Sequence, residues 1–238
     1  MNVLSFSYCF PSSRRPTWGV FVLQRLAALA KRVDLEVASP VPVFPLWNRL
    51  CGGLPAPVEE HAGLTVHHPR WFYFPGILKT LDGRLYARGT RRWFDARCRD
   101  RRPDLLDAHF VWPDGVGVSR LARRAGLPYV ITLRGWLYPC LERPSLRRQA
   151  RDALLGAAAV ISVSSPLADA AADLGVPRDR LHVIPNGVDT DRFRPMDRSG
   201  ARRELGLPAN GRLVVSVCTQ QRVPAGNGDV AADLIEGI

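Results

Sequence analysis

A small set of residues in this 238-residue chain could act on a ligand, and each follows an apolar run that reads as a strand. His109 closes the run LLDAHF and could serve as a base. Arg134 and Gly135 follow YVITL and could supply a cation and room for close approach. Pro185-Asn186-Gly187 follows LHVI, and these residues demand a turn, because Pro fixes φ and Asn or Gly tolerates positive φ. The loop Cys9 to Trp18 follows the first apolar run, and Gly19 opens the next helix. Together they offer a base, a cation, small residues and helix N-termini that favour anions, a set suited to an anionic or polyhydroxylated ligand. Plainer roles stand beside these. His109 also fits a hydrogen-bonded histidine at a strand end, the commoner case on spacing alone. Arg134 also fits a surface arginine, and Gly19 a simple helix start.

The elements that must hold these residues alternate along the chain. Strand-like runs occupy residues 2–8, 35–38, 64–67, 105–110, 129–133, 160–163 and 181–184. Between them lie helical patterns at 19–32, 81–102, 115–125, 146–155 and 166–174, with apolar residues recurring at helical spacing. In the third helix Ser119, Arg120, Arg123 and Arg124 face outward, and Gly126 ends it. Ser145 and Ser165 are the expected N-caps of the last two helices, and Gly175 closes the final one. SPVPVFPLW reads as a loop, Trp71-Phe72-Tyr73-Phe74 as an aromatic loop on the core, and His67-His68 as surface residues. The alternation predicts an α/β fold, a Rossmann-like, mostly parallel sheet with helices on both faces. In such a sheet ligands bind outside the carboxyl ends of the strands, where the candidate residues gather. A further strand-like run, GRLVVSV, begins at Gly211 and reads as the start of a second unit.

Composition narrows the function. The formal charge is +11, almost all from arginine, since Lys31 and Lys79 are the only lysines. Coding bias explains this as well as attraction to lipid, nucleic acid or phosphorylated substrates does. A nucleic-acid partner ranks low, because the basic residues spread over several helix faces and no nucleic-acid motif is present. The five cysteines are scattered and form no CxxC pair, which argues against a disulfide framework or a zinc site and fits a reducing cytosol. MNVLSFSYCF has no basic region before its apolar stretch, so it does not read as a signal peptide. No apolar run approaches the roughly 18 residues of a membrane span. The expected location is cytoplasmic, with the inner face of the plasma membrane open as a peripheral site. No GxGxxG follows the first strand, and neither GxxxxGK[ST] nor GxSxG occurs, so dinucleotide, phosphate-loop and common hydrolase chemistry find no support.

Four segments carry a family resemblance: FPSSRRPTWGVFVLQRLAALAKRVDLEVASPVPVFP, DLLDAHFVWPDGVGVSRLARRAGLPYVITLRG, AAAVISVSSPLADAAADLGVPRDRLHVIPNGVDTDRFRP and RRELGLPANGRLVVSV. In this order they resemble the N-terminal domain of family-4 glycosyltransferases of the GT-B fold, and IPNGVDxxRF is the most specific part. The resemblance implies two Rossmann-like domains across a cleft, an acceptor on the first and a nucleotide-sugar donor on the second. Transfer would retain anomeric configuration and need no metal, because helix dipoles and basic side chains stabilise the leaving diphosphate. By position, His109 matches the family histidine near the reacting centre. Trp18 and Gly19 match the loop near diphosphate and acceptor. Arg134 and Gly135 match the residues after the same strand, and Asn186 and Gly187 the turn into the interdomain linker. The implied boundaries are 1–188 for the acceptor-side domain, 189–210 for linker and lead-in helix, and 211–238 for the start of a donor-binding domain.

The sequence also departs from the family. The glutamate common near Leu23 is absent. After Val217 the family continues as SVG and then a basic residue with KG, whereas this chain reads SVCTQQRVPAGNGDVAADLIEGI. Glu236 matches no family carboxylate. A frameshift or truncation near Cys218 is expected, with no efficient catalysis by the chain alone and activity restored by a separate chain carrying the donor domain. A non-catalytic domain binding an anionic or lipid-linked ligand at a membrane surface is the alternative.

Overall fold

The computed structural model describes residues 1–44 and 53–213. The chain divides into two units, Met1–Gly187 and Val188–Ile238. The first is built on a sheet of eight strands, mostly parallel, as the alternation predicts. In chain order the strands are β1 (Asn2–Phe6), β2 (Asp34–Ala38), β3 (Val41–Val43), β4 (Val58–His61), β5 (Leu64–His67), β6 (Arg70–Phe72), β7 (Leu105–His109), β8 (Tyr129–Leu133), β9 (Ala159–Ser162) and β10 (Leu181–Val183). The large sheet runs β10-β9-β8-β7-β1-β2-β5-β4, and β3 pairs with β6 in a separate two-stranded ribbon. Every pair in the large sheet is parallel except the β4–β5 hairpin.

The helices are α1 (Val20–Leu29), α2 (Asp82–Asp100), α3 (Val116–Ala125), α4 (Leu137–Leu141), α5 (Pro144–Leu155), α6 (Ser165–Asp173) and, in the second unit, α7 (Arg198–Glu204). Strand alternation splits the core between the two faces of the sheet. Leu4, Phe6, Leu106, Ala108, Ile131 and Leu133 pack beneath α2, α3 and α5. Val3, Val37 and Val66 pack against Val22 and Leu26 of α1 on the other face. Glu36 of β2 is clamped by Arg97 of α2, with Nη2 and Nε donating to Oε1 and Oε2 at 2.6 and 3.1 Å. Gly126 ends α3 in the left-handed conformation its lack of Cβ permits, and the last turn carries Arg123 and Arg124.

Several local expectations are corrected. SPVPV is no plain loop: Val41–Val43 forms β3, and Trp71 and Phe72 belong to its partner β6. The ladder explains why Trp71 is buried while its neighbour Phe72 is exposed, since successive strand residues face opposite sides. Ser119 faces inward, because α3 lies close on α2 and its hydroxyl donates to Val116 O at 2.9 Å. The close approach is visible at Gly117, where a Cβ would meet the Tyr86 ring at 2.2 Å. Ser145 lies inside α5, whose N-cap is Arg143 with Pro144 in the first turn, and Ser164 rather than Ser165 caps α6. The turn at Val111–Gly115 and helix α4 stand where no element was expected. Gly211 to Leu213 carry no regular structure, and the rest of the strand expected there lies outside the described residues, as do Cys51 and Cys218 to Ile238.

Candidate active site

The carboxyl ends of the parallel strands bring together loops distant in sequence. Loop Ser7–Trp18 leaves β1, Ser39-Pro40 leaves β2, Phe110–Gly115 leaves β7, Arg134–Trp136 leaves β8 and Ile184–Gly187 leaves β10. Gly19 holds the first loop against α1. Its φ is +75°, and a Cβ would stand 2.2 Å from Cys9 O, so only glycine lets the helix start approach the strand end.

His109 ends β7 with no exposed surface. Its Nε2 lies 3.0 Å from Asp107 Oδ2, which also accepts the Ser5 hydroxyl at 2.8 Å. Asp107 and His109 are two residues apart on one strand and so project from the same face of the sheet. Burial pushes the Asp107 carboxyl up, but His109 and Ser5 outweigh it and hold the group below the usual carboxylate range. An ionised carboxylate only accepts, so His109 Nε2 carries the proton shared with Asp107. His109 Nδ1 is buried without a hydrogen-bond partner among the described residues.

Arg134 follows β8 and is only 5% exposed. It donates through Nη1 to Asn186 Oδ1 at 2.9 Å and stacks on Phe21 and Phe110, 4.6 and 5.9 Å from the ring centroids. Its Nε and Nη2 have no hydrogen-bond partner among the described residues. Burial and the like charge of Arg25 pull its pKa down to about 10, which leaves it a cation at neutral pH. A buried guanidinium without a carboxylate is costly unless a ligand completes it. The plainer reading of Arg134 as a surface arginine does not hold, because the side chain is buried.

Nearer β1 and β2 the same edge opens into a cavity of about 370 Å³. Trp18, Trp71, Trp112 and Trp136 line it together with His68, Lys79 and Asp82. The expectation of surface histidines fails here. His68 is buried, with Nδ1 3.1 Å from Ser39 O, and half-buried His67 stacks on Trp93 with Nε2 3.7 Å from Glu36 Oε2. Of the sequence candidates, Trp18 lines the cavity, Arg134 and Asn186 meet, and His109 lies buried in the sheet edge. Gly135 and Gly187 are exposed, with nothing within 4 Å of an added Cβ. Asp107 carried a signal in the spacing D-A-H. His68, Asp82 and Trp112 carried none, because loops far apart in the chain place them.

The family model described as Glycosyltransferase Family 4 matches residues 19–192, from the glycine under the first loop past the Asn186 turn. This chain belongs to glycosyltransferase family 4. The family-4 chain is 30% identical over 234 residues to TuaC of Bacillus subtilis, named for teichuronic acid biosynthesis, covering 91% of this chain and 58% of that protein. It is 29% identical over 216 residues to a D-inositol 3-phosphate glycosyltransferase of Thermobispora bispora, covering 83% and 46%. It thus spans about half the length of these relatives. The fold is shared with sucrose-phosphate synthase from Thermosynechococcus elongatus, at TM-score 0.62 and 15% identity over 87% of this chain and 53% of that one. Anabaena HepE, solved with UDP-glucose, gives TM-score 0.57 and 17% identity over 87% and 50%. The family-4 domain accounts for the N-terminal, Rossmann-like half expected from the motifs. Among the described residues no helix is long and apolar enough to cross a membrane.

Proposed function

We propose that residues 1–188 form the acceptor-binding domain of a retaining glycosyltransferase that takes its sugar from a nucleotide donor, for synthesis of a glycan, polysaccharide or glycolipid. Residues 189–210 are the proposed linker and lead-in helix, and 211–238 the start of the donor-binding domain. The aromatic-walled cavity at the carboxyl edge carries this proposal, because it joins a family-4 domain to a concave site of small-molecule size. Arg134, buried with two free donors, is the proposed cation for anionic charge developing on the leaving group. His109, held by Asp107 at 3.0 Å, is the proposed residue beside the reacting centre. Trp18, Gly19, Gly135, Asn186 and Gly187 complete the proposed binding edge.

The 238-residue chain should bind saccharide acceptors without turning over nucleotide sugars, and a second chain supplying the donor domain should restore transfer. Calorimetry and radiolabelled-sugar transfer test this. Tight UDP-sugar or GDP-sugar binding, or turnover by the chain alone, would overturn it.

One observation favours a membrane-surface role on the cytoplasmic side for the same domain. Arg84, Arg120 and Arg123 cluster on α2 and α3, and the Arg120 guanidinium is held below its ordinary value by burial and by Arg84 and Arg123. Anionic lipid would relieve that repulsion. Flotation with phosphatidylserine vesicles at low salt should recover the protein with the lipid, and recovery equal to that with neutral vesicles removes the idea.

A further inference from the structure

The cavity that the proposed function treats as the acceptor site has polar atoms left over. Among the described residues, Trp71 Nε1, Asp82 Oδ1 and His68 Nε2 are buried without a hydrogen-bond partner, and His68 Nε2 lies 3.6 Å from Glu59 Oε2. Buried polar groups are nearly always paired, and leaving one unpaired costs about 1–3 kcal/mol. His68 Nδ1 donates to Ser39 O, so Nε2 of the neutral ring is an acceptor. The unused set is therefore one donor and two acceptors inside aromatic walls. Sugar hydroxyls, each both donor and acceptor, match that mixture.

The rim adds flat apolar faces and positive charge. Trp18 and Trp136 stand 42% and 49% exposed at the cavity, where their rings can cover a sugar face while the other edge stays wet. Among the described residues, Arg14, Arg15 and Lys79 line it against one carboxylate, Asp82. Lys79 is already engaged: Nζ donates to Phe74 O at 3.0 Å, lies 3.5 Å from Asp82 Oδ2 and sits 3.7 Å from the Tyr73 centroid. Arg14 and Arg15 have no ion pair among the described residues. Arg15 lies 5.8 Å from the Trp18 ring, and Arg14 Nη2 reaches to within 3.7 Å of where a Gly53 Cβ would stand.

These two cations sit on a braced turn. Ser12 and Arg15 exchange backbone hydrogen bonds at 3.3 and 3.0 Å, and Ser13 N donates to Glu59 Oε2 at 2.9 Å. A turn held in place loses little freedom on binding, so its charges act at low entropic cost.

We propose that this cavity takes an acidic saccharide residue, its ring against Trp18 and Trp136, its hydroxyls on Asp82, His68 and Trp71, and its carboxylate or phosphate on Arg14 and Arg15. The assignment rests on the acceptor-side role proposed above. Titration of the 238-residue chain with D-glucuronate, glucose 6-phosphate, glucose and inorganic phosphate tests it by ligand-observed NMR. At least one acidic sugar should bind about tenfold more tightly than glucose, the scale of one charge-assisted contact, and the tighter of the two names carboxylate or phosphate. The double variant Arg14→Gln, Arg15→Gln should bind the acids no better than glucose, and Trp18→Ala should weaken all three sugars. These side chains are exposed, so the variants should keep the wild-type melting temperature. Glucose binding as tightly as the acids, or an acid advantage that survives the double variant, overturns the assignment and leaves the acceptor-side role standing. Inorganic phosphate binding as tightly as glucose 6-phosphate overturns it as a bare anion site. Binding of no saccharide overturns both proposals.

Discussion

Arg134 donates to Asn186 across 52 positions of sequence, tying the end of β8 to the turn after β10. Asn186 thus satisfies one donor of a buried guanidinium whose Nε and Nη2 remain unpaired among the described residues. Those two unpaired donors are the reason Arg134 is proposed to meet a ligand.

Replacing Arg134 tests that statement. Arg134→Met keeps much of the stacking on Phe21 and Phe110 and removes an uncompensated buried charge, so stability should stay within about 1 kcal/mol of wild type or rise. Urea unfolding would show it. A loss above about 3 kcal/mol would mark Arg134 as a structural residue instead.

Gly19 and Gly135 should respond oppositely to alanine. At Gly19 the new Cβ meets Cys9 O and the φ is positive, so Gly19→Ala should cost more than about 2 kcal/mol. At Gly135 the Cβ meets open space, and Gly135→Ala should stay within about 0.5 kcal/mol. Equal denaturation midpoints for the two variants would contradict the close packing beneath the first loop.

Two buried aspartates should differ in the same way. Asp107 is ionised against His109, so Asp107→Asn should cost about 2–3 kcal/mol by removing a charge-assisted pair. Asp114 accepts Tyr8 N and the Tyr86 hydroxyl on Oδ1 at 3.0 and 2.6 Å, and burial drives its pKa well above the ordinary value. Burial thus disfavours its charged form, so Asp114→Asn should cost less than Asp107→Asn. Thermal unfolding of the two variants side by side decides this, and a reversed order would refute the protonation states.

Acid should loosen the first loop through Glu59. Burial pushes its carboxyl up, but bonds from Ser13, His61 and Ala56 outweigh it and hold the pKa at about 2 against the ordinary 4.5. A lowered folded-state pKa contributes stability that is fully present above 4.5 and is lost as pH falls toward 2. Glu59→Gln should therefore cost about 1–2 kcal/mol near neutral pH and flatten the acid limb of the stability curve. Identical acid limbs for wild type and variant would exclude Glu59 as the source.

Much of the frame was legible in the chain. Leu64–His67 and Tyr129–Leu133 match their strands to the residue, because an apolar run between breakers leaves few alternatives. β3 and β6 were not legible: each has three residues, and β3 carries a proline. Their stability comes from pairing with each other rather than from local pattern. His68 failed for a related reason, since its burial depends on Ser39, 29 positions earlier.

Periodicity and turn chemistry are local, so the sequence alone determined the alternating elements, the mostly parallel sheet and, through the IPNGVD segment, the family. Charge state and partnership depend on what lies within a few ångströms, and only the folded chain decides that. The tertiary structure decided between the two readings of Arg134 by burying it. It enclosed His109 beside Asp107, and it built from Trp18, His68, Asp82 and Trp136 a cavity that no spacing in the sequence announces.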